Sequence, residues 1–362
     1  MPTISLCMIV KNEERILRRC LDSVKDLVDE IVIVDTGSTD STKKIATEYT
    51  DKIYDFEWVD DFSKARNYSF SKCSMDYIYV ADADEYLNEE NRFQFKVLKE
   101  NLYPEIEIVQ MMYETVSHDT VLNIYREYRP KLYKRLREFT WIDPIHETVR
   151  LDPVVFNSDI VITHEPETNH SGRDFSIFEK ALARDGGLSE NVSHMYALEL
   201  YKCGSYSDFE KALPFFESIN TLDDIFIRQY SSVVIAKCLR LNRDSSFEEY
   251  VMSALKSGMR DVSELNFELG EYYLENKRYF DASKFFNAAV YDSTPVLDIH
   301  TGGDHALRRL IDACEKVITQ YDDIKKSAGP DVSMEQLVED YKEIKEKYAK
   351  DLSNWKPPVE TV

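Results

Sequence analysis

Apolar runs of four to seven residues alternate with helix-spaced patterns through the first third of the chain. Ser5 to Val10 reads as a strand. After it Ile16, Leu17, Cys20, Leu21, Val24 and Leu27 recur at three- and four-residue intervals, with Glu13, Glu14, Arg18 and Arg19 off that stripe, which predicts an amphipathic helix. The run Glu30-Ile-Val-Ile-Val34 is apolar without alternation, as in a strand covered on both faces. It ends at Asp35-Thr-Gly-Ser-Thr-Asp-Ser41, where Gly37 permits a tight turn, Ser38 or Thr39 can cap a helix, and Ile45, Ala46 and Tyr49 outline a short one. A strand near 52–55, a helix near 63–73 and the strand Tyr77-Ile-Tyr-Val-Ala81 follow, the last stopping at Asp82-Ala-Asp-Glu85. Further strands are predicted over 106–112, 128–133, 140–149 and 160–164. Strands and helices in this order predict an α/β domain with a Rossmann-like, mainly parallel sheet over residues 1–170.

Past Gly172 the texture becomes helical, punctuated by alanine and aromatic residues. Leu269, Gly270, Tyr273, Ala282, Phe286 and Ala289 match the offsets of a tetratricopeptide helix pair, with Pro295 one residue late. A looser copy runs from Ser193 to Ile219 through Tyr196, Ala197, Leu200, Gly204, Tyr206, Ala212 and Phe216, with about three extra residues expected in its inter-helix turn. Residues 229–258 fit a degenerate middle copy. Three stacked units suffice for a small solenoid, so an all-α repeat domain is expected over 171–300. Two charged helices broken at Gly329-Pro330 and a loose tail are expected over 301–362.

Charge narrows the function. With 67 acidic against 45 basic residues among 362, the chain carries a net −22, which repels a phosphate backbone and excludes general nucleic-acid binding. At 43% hydrophobic and 12% aromatic it is too apolar to be disordered. The six cysteines stand singly with no C-x-x-C pair, which speaks against a zinc ribbon or disulfide framework and for a reducing, cytoplasmic setting. The apolar run Ile4 to Val10 is too short for a signal-peptide core and lacks a basic segment before it, and no stretch approaches the roughly 20 apolar residues of a membrane span. No integral membrane segment is expected.

Asp82 and Asp84 are two apart at a strand end, so extended backbone points both carboxylates to one side. Held that close they repel unless a cation lies between them, and an oxygen-only ligand set suits Mg²⁺ or Mn²⁺. In an open α/β sheet ligands bind beyond the carboxyl ends of the strands, where Asp35 and Asp82 both fall. His146 and Glu147 follow the strand-like run Trp141-Ile-Asp-Pro-Ile145, and alternation puts their side chains on opposite faces unless the strand ends there.

The segments Cys7-Met-Ile-Val-Lys-Asn-Glu13, Val34-Asp-Thr-Gly-Ser-Thr-Asp40, Asp61-Phe-Ser-Lys-Ala-Arg-Asn67, Asp82-Ala-Asp-Glu85 and Ile145-His-Glu147 together resemble the family 2 glycosyltransferases. Within that family the chain is similar to a subgroup with tetratricopeptide repeats that includes bacterial peptide S- and O-glycosyltransferases. The resemblance implies a GT-A-type fold, a UDP-sugar donor and a divalent metal, Mn²⁺ or Mg²⁺. It implies that Asp35 accepts from the uracil imide N–H, that the main chain near Val10 and Asn12 holds the base edge, and that Arg66 and Asn67 lie near the diphosphate. Asp82 would contact the ribose or a metal-bound water, and Asp84 would ligate the metal. His164 would be a third metal ligand, with a structural hydrogen-bonding role as its alternative. Glu147 would be the base of an inverting hexosyl or N-acetylhexosaminyl transfer, with His146 in the site or orienting its neighbours.

Two departures stand out: Pro130-Lys-Leu-Tyr-Lys134 where the subgroup has arginine in place of Lys131, and Asp143 where a glycine is usual. No Q-x-x-R-W segment points to a processive synthase. The acceptor expected is a peptide or protein side chain, Ser, Thr or Cys, presented to the catalytic domain by the repeats. A cell-envelope or lipid-linked glycan acceptor and a non-catalytic repeat scaffold are the alternatives, and repeats that only stabilise the enzyme or form a homo-oligomer remain open.

Overall fold

The computed structural model describes residues 1–115, 126–135, 141–142, 145, 148–149, 153–165, 171–328 and 332–357. It divides into two compact units, with the division between Val192 and Ser193.

The first unit is built on an eight-stranded mixed sheet. In chain order its elements are β1 (Ile4–Val10), α1 (Leu17–Val24), β2 (Glu30–Asp35), α2 (Thr42–Ala46), β3 (Ile53–Asp55), α3 (Phe62–Phe70), β4 (Tyr77–Val80), β5 (Glu85–Tyr86) and α4 (Glu89–Asn101). There follow β6 (Ile108–Thr115), β7 (Arg126–Lys134), the short β8 (Trp141–Ile142) and β9 (Thr148–Val149), β10 (Val155–His164) and α5 (Ser171–Asp185). The sheet order is β3-β2-β1-β4-β7-β6-β10-β5. Strands β3, β2, β1 and β4 run parallel, as the strand–helix alternation predicts. Strand β7 then enters antiparallel between β4 and β6, which makes β6 and its parallel neighbour β10 point the same way as β4. The carboxyl ends of β2, β1, β4, β6 and β10 therefore share one edge of the sheet. The run Ile31 to Val34 is buried or half-buried throughout, and the core joins Leu6, Met8, Val10, Ile33 and Tyr79 of the sheet to Leu17, Leu21 and Phe95 of the covering helices.

Three details differ from the sequence reading. The stretch predicted as one strand over 140–149 contains two short strands, β8 and β9, paired antiparallel. Helix α4 has no counterpart in the hydrophobic pattern because it buries only Asn91 and Phe95 and is otherwise polar. Helix α5 falls in the first unit, where Lys180 pairs with Asp60 at 2.8 Å and Arg184 with Asp61 at 3.7 Å.

The second unit starts within α6 (Glu190–Cys203) and continues through α7 (Tyr206–Ile219), α8 (Ile225–Leu241), α9 (Phe247–Ala254), α10 (Ser263–Glu275), α11 (Tyr279–Tyr291), α12 (Asp304–Ala328) and α13 (Val332–Asn354). Helices α10 and α11 are the pair the tetratricopeptide offsets mark, and Leu269, Gly270, Tyr273, Ala282, Phe286 and Ala289 are all buried. Gly270 is dictated by proximity: a Cβ there would lie 2.5 Å from the Phe286 ring. The looser copy is α6 and α7, with Tyr196 packed on Phe216 at 5.5 Å between ring centroids. Its inter-helix turn is only Gly204-Ser205, so the three extra residues expected there are absent from the turn. Ser205 and Asp208 form a capping box that starts α7 directly. Helices α8 and α9 occupy the stretch read as a degenerate middle copy.

Candidate functional site

The loops after β1 and β2 are stapled to each other by their own side chains. Asn12, in the left-handed region at φ 58°, donates its N–H to Ser38 Oγ at 2.9 Å and accepts from the Thr39 N–H at 2.8 Å through Oδ1. The Glu13 N–H donates to Thr42 Oγ1, the Glu14 N–H to Asp40 Oδ2, and the Ser41 N–H to Glu14 Oε2. Two of the motifs singled out in the sequence are thus halves of one interlocked structure. The Val10 carbonyl already accepts from the Thr36 N–H at 3.0 Å, so that carbonyl and the Asn12 N–H both have partners within the protein.

Asp35 ends β2 and is 2% exposed. Its Oδ2 accepts from the Gly37 and Ser38 N–H groups at 3.1 and 3.0 Å, which fixes the turn that Gly37 makes at φ 101°. Its Oδ1 is buried and has no hydrogen-bond partner among the described residues. A buried carboxylate oxygen left open costs free energy until a donor meets it, and here the loop has consumed one oxygen and presents the other.

Along the same edge, two β-strands away, the turn after β4 carries Asp82 and Asp84. Asp84 Oδ2 lies 3.0 Å from His164 Nε2 at the end of β10, and the other ring nitrogen of His164 is 3.4 Å from Thr115 Oγ1 at the end of β6. Asp82 faces Arg66 instead, at 3.5 Å. Arg66 is 6% exposed and comes from α3, whose first turn is capped by Asp61 accepting from the Lys64 N–H at 3.2 Å. In the Asp61-to-Asn67 motif, Asp61 thus starts the helix and Arg66 reaches the site. Asn67 is half-buried one residue on, its carbonyl accepting from the Ser71 N–H. Burial works against a charged Asp82, but Arg66, Lys131, His164 and Arg129 outweigh it and hold the carboxyl below its ordinary value.

The turn rests on a pair the motif reading did not find. Lys131, in the middle of β7, donates to both oxygens of Glu85 at 2.8 and 2.7 Å, and both side chains are buried. Glu85 also accepts from the Asp82 N–H at 3.2 Å. Burial raises the Glu85 carboxyl above its ordinary value, against the pull of Lys131. The lysine that stands where arginine is usual therefore makes a two-oxygen contact with a single ammonium group. Beside it Arg129 lies over the Tyr113 ring at 3.9 Å, and that ring is tilted against His164 at 5.0 Å. Arg19 pairs with Glu165 and covers Tyr86, tying α1 to the β5–β10 edge. Of the Glu85–Lys131 pair the sequence marked Glu85, by its place in Asp82-Ala-Asp-Glu85, and Lys131, as a departure from arginine, but not that the two pair.

Residues 5–147 match the model of the glycosyl transferase family 2. This segment is a family 2 glycosyltransferase domain. Over 165 residues the chain is 33% identical to the SPbeta prophage-derived glycosyltransferase SunS of Bacillus subtilis, covering 44% of this chain and 36% of that protein. Over 87 residues it is 53% identical to a TPR repeat-containing protein of Synechococcus elongatus, covering 24% of this chain and 22% of the other. An uncharacterized glycosyltransferase of Rickettsia typhi is 30% identical over 180 residues, covering 44% of this chain and 55% of its own. The chain thus spans from about a fifth to a little over half the length of these relatives. Among solved structures, the glucosyl-3-phosphoglycerate synthase of Mycobacterium tuberculosis in complex with Mn²⁺ and UDP-glucose has a TM-score of 0.37 at 15% identity, over 52% of this chain and 81% of that one, a likeness too slight to carry argument.

Among the described residues of this domain, Asp84 and His164 are spaced as two ligands of a divalent metal would be. Two ligands bound cis to an octahedral ion with bonds near 2.1 Å sit about 3 Å apart, and the Asp84 Oδ2 to His164 Nε2 separation is 3.0 Å. Asp82 does not close a three-ligand set with them; the cluster of three among the described residues lies elsewhere, at His300, Asp304 and His305. His146 and Glu147 lie outside the described residues. No helix among those described is long and apolar enough to cross a membrane.

Proposed function

We propose that the chain is a metal-dependent inverting glycosyltransferase that moves a sugar from a UDP-sugar to a Ser, Thr or Cys side chain of a peptide or protein acceptor. The observation that carries this reading is Asp35, whose one free, buried oxygen sits on the same sheet edge as the Asp84–His164 pair. An acceptor fixed by its own loop suits the imide N–H of uracil, and a carboxylate–imidazole pair further along that edge suits the metal end of a nucleoside diphosphate. Val10 and Asn12, with the Val10 carbonyl, the Asn12 N–H and Asn12 Oδ1 already partnered, shape the loop beside the base. Arg66 and Asn67 face the diphosphate, and Asp82, held ionised by Arg66, meets the ribose or the solvent around the metal.

Mn²⁺ or Mg²⁺ held by Asp84 and His164, with Asp82 nearby, would neutralise the leaving diphosphate. Glu147 takes the acceptor proton, and His146 orients it. The helical repeats of the second unit support a polypeptide acceptor.

The test is transfer itself. UDP-sugars are presented with Ser-, Thr- and Cys-containing peptides and Mn²⁺, and products are read by intact mass. A mass increment of one sugar on a peptide is expected, and Glu147→Gln should lower its rate on the order of 10²–10⁴-fold with donor affinity unchanged. Wild-type rates in that variant would move the base elsewhere. UDP-sugar binding with no transfer to any peptide would remove the polypeptide acceptor.

A further inference from the structure

His300 lies in the 3₁₀ turn Ile299–Gly302 that leads into α12, and Asp304 and His305 open that helix. One donor atom from each of the three lies within 4.8 Å of the other two. His300 Nδ1 is 2.5 Å from Asp304 Oδ1, and the two imidazole rings stack at 4.8 Å. Such a stack of two titratable rings beside a single carboxylate places three metal-ligating groups on one short stretch of chain.

The backbone beneath them is fixed by other residues. The buried Glu264 carboxylate accepts from the N–H groups of Val296, Leu297 and Asp298 at 2.7–3.1 Å. Asp298 in turn caps the 3₁₀ turn, accepting from the His300 N–H at 3.1 Å. Trp355 packs so close to Gly303 that a Cβ there would lie 2.4 Å from the indole, and the same ring is 5.3 Å from His300. The donors are thus anchored on one side, while His305 is exposed on the other and leaves an approach for an ion. Among the described residues, the cation paired with the cluster is Arg308, 3.8 Å from Asp304 and mostly exposed.

Ligand chemistry separates this cluster from the donor site. Two imidazoles and one carboxylate suit zinc-class ions, whose structural and catalytic sites take N and O ligands at about 2.0–2.2 Å in a tetrahedron. Tetrahedral donors at such bond lengths are about 3.4 Å apart, so side-chain rotation alone can close the cluster around an ion. We propose that His300, Asp304 and His305 bind a divalent ion of the zinc class, with water as fourth ligand, clamping the start of α12 to the turn before it.

The experiment is calorimetric titration of Zn²⁺ into the full chain, free of any affinity tag, in the Asp84→Asn background that removes the donor-site ligand. One Zn²⁺ per chain is expected there, with Co²⁺ binding in parallel quenching part of the tryptophan emission through Trp355. His305→Ala, an exposed substitution whose fold is checked by circular dichroism, should weaken Zn²⁺ at least tenfold and abolish the quenching. Unchanged affinity in His305→Ala, absence of a site in the Asp84→Asn chain, or loss of the site instead in Cys203→Ser, which removes an exposed thiol that is not part of the cluster, would each overturn the assignment.

Discussion

Asp35 gives one carboxylate oxygen to its own loop and leaves the other open. Its Oδ2 holds the Gly37 and Ser38 amides while Oδ1 waits without a partner. Asp35→Asn keeps one oxygen for the loop but turns the waiting position from acceptor to donor, opposing an imide N–H. UDP affinity should fall at least tenfold by calorimetry with little change in melting temperature; unchanged affinity would detach Asp35 from the base. At this scale the sequence was informative where position and residue type coincide. Asp35 and Asp84 stand at ends of apolar strands, and Arg66 stands six residues into a run opened by a capping Asp61. It was silent on the Glu85–Lys131 pair, because nothing local says that β7 will enter antiparallel beside β4 and bring residue 131 against residue 85. Breaking such a buried pair from one side is costly, since the survivor's charge is left without compensation.

Elements are held here by a few buried polar ties as well as by apolar faces. Glu30, at the start of β2, is buried and accepts from Ser5 of β1, from Lys52 before β3, and from the Ser74 N–H and hydroxyl before β4. Burial alone would raise its carboxyl, but these donors win and push it down to about 2 from its ordinary 4.5. A carboxyl with a lower folded than unfolded value stabilises the fold fully above the unfolded value, and that stability is lost as pH falls through the folded one. The contribution is about 3 kcal/mol. Glu30→Gln should therefore lie below wild type by about that much in denaturant melts at pH 7. The gap should narrow as pH drops from 4.5 toward 2, and a gap that does not change with pH would contradict the account. In the second unit the tie is steric. Gly270→Ala pushes a methyl group to 2.5 Å from Phe286 and should cost about 1–3 kcal/mol. Gly187→Ala, with nothing within 4 Å, should stay near wild type in the same melts. The helix pair around Gly270 was legible from its offsets because close packing demands small and aromatic residues at fixed spacing. Helix α4 was not, since a helix that buries two residues leaves no apolar stripe to read.

Across the whole molecule, the sheet topology does what no single motif can. Parallel β2, β1 and β4 carry Asp35, Asn12 and the Asp82–Asp84 turn to one edge, and the reversal through β7 returns β6 and β10 so that His164 arrives there too. The strand alternation foretold the parallel half; the reversal and the short strand β5 beyond β10 were beyond its reach, being settled by long-range pairing. We propose that this edge binds a UDP-sugar through a metal held by Asp84 and His164. Calorimetric titration of UDP with and without Mn²⁺, in wild type and in Asp84→Asn, tests it directly. Strong binding is expected only in wild type with Mn²⁺, with loss of at least tenfold on removing either the ion or the Asp84 carboxylate. Equal UDP affinity in all four titrations would contradict it.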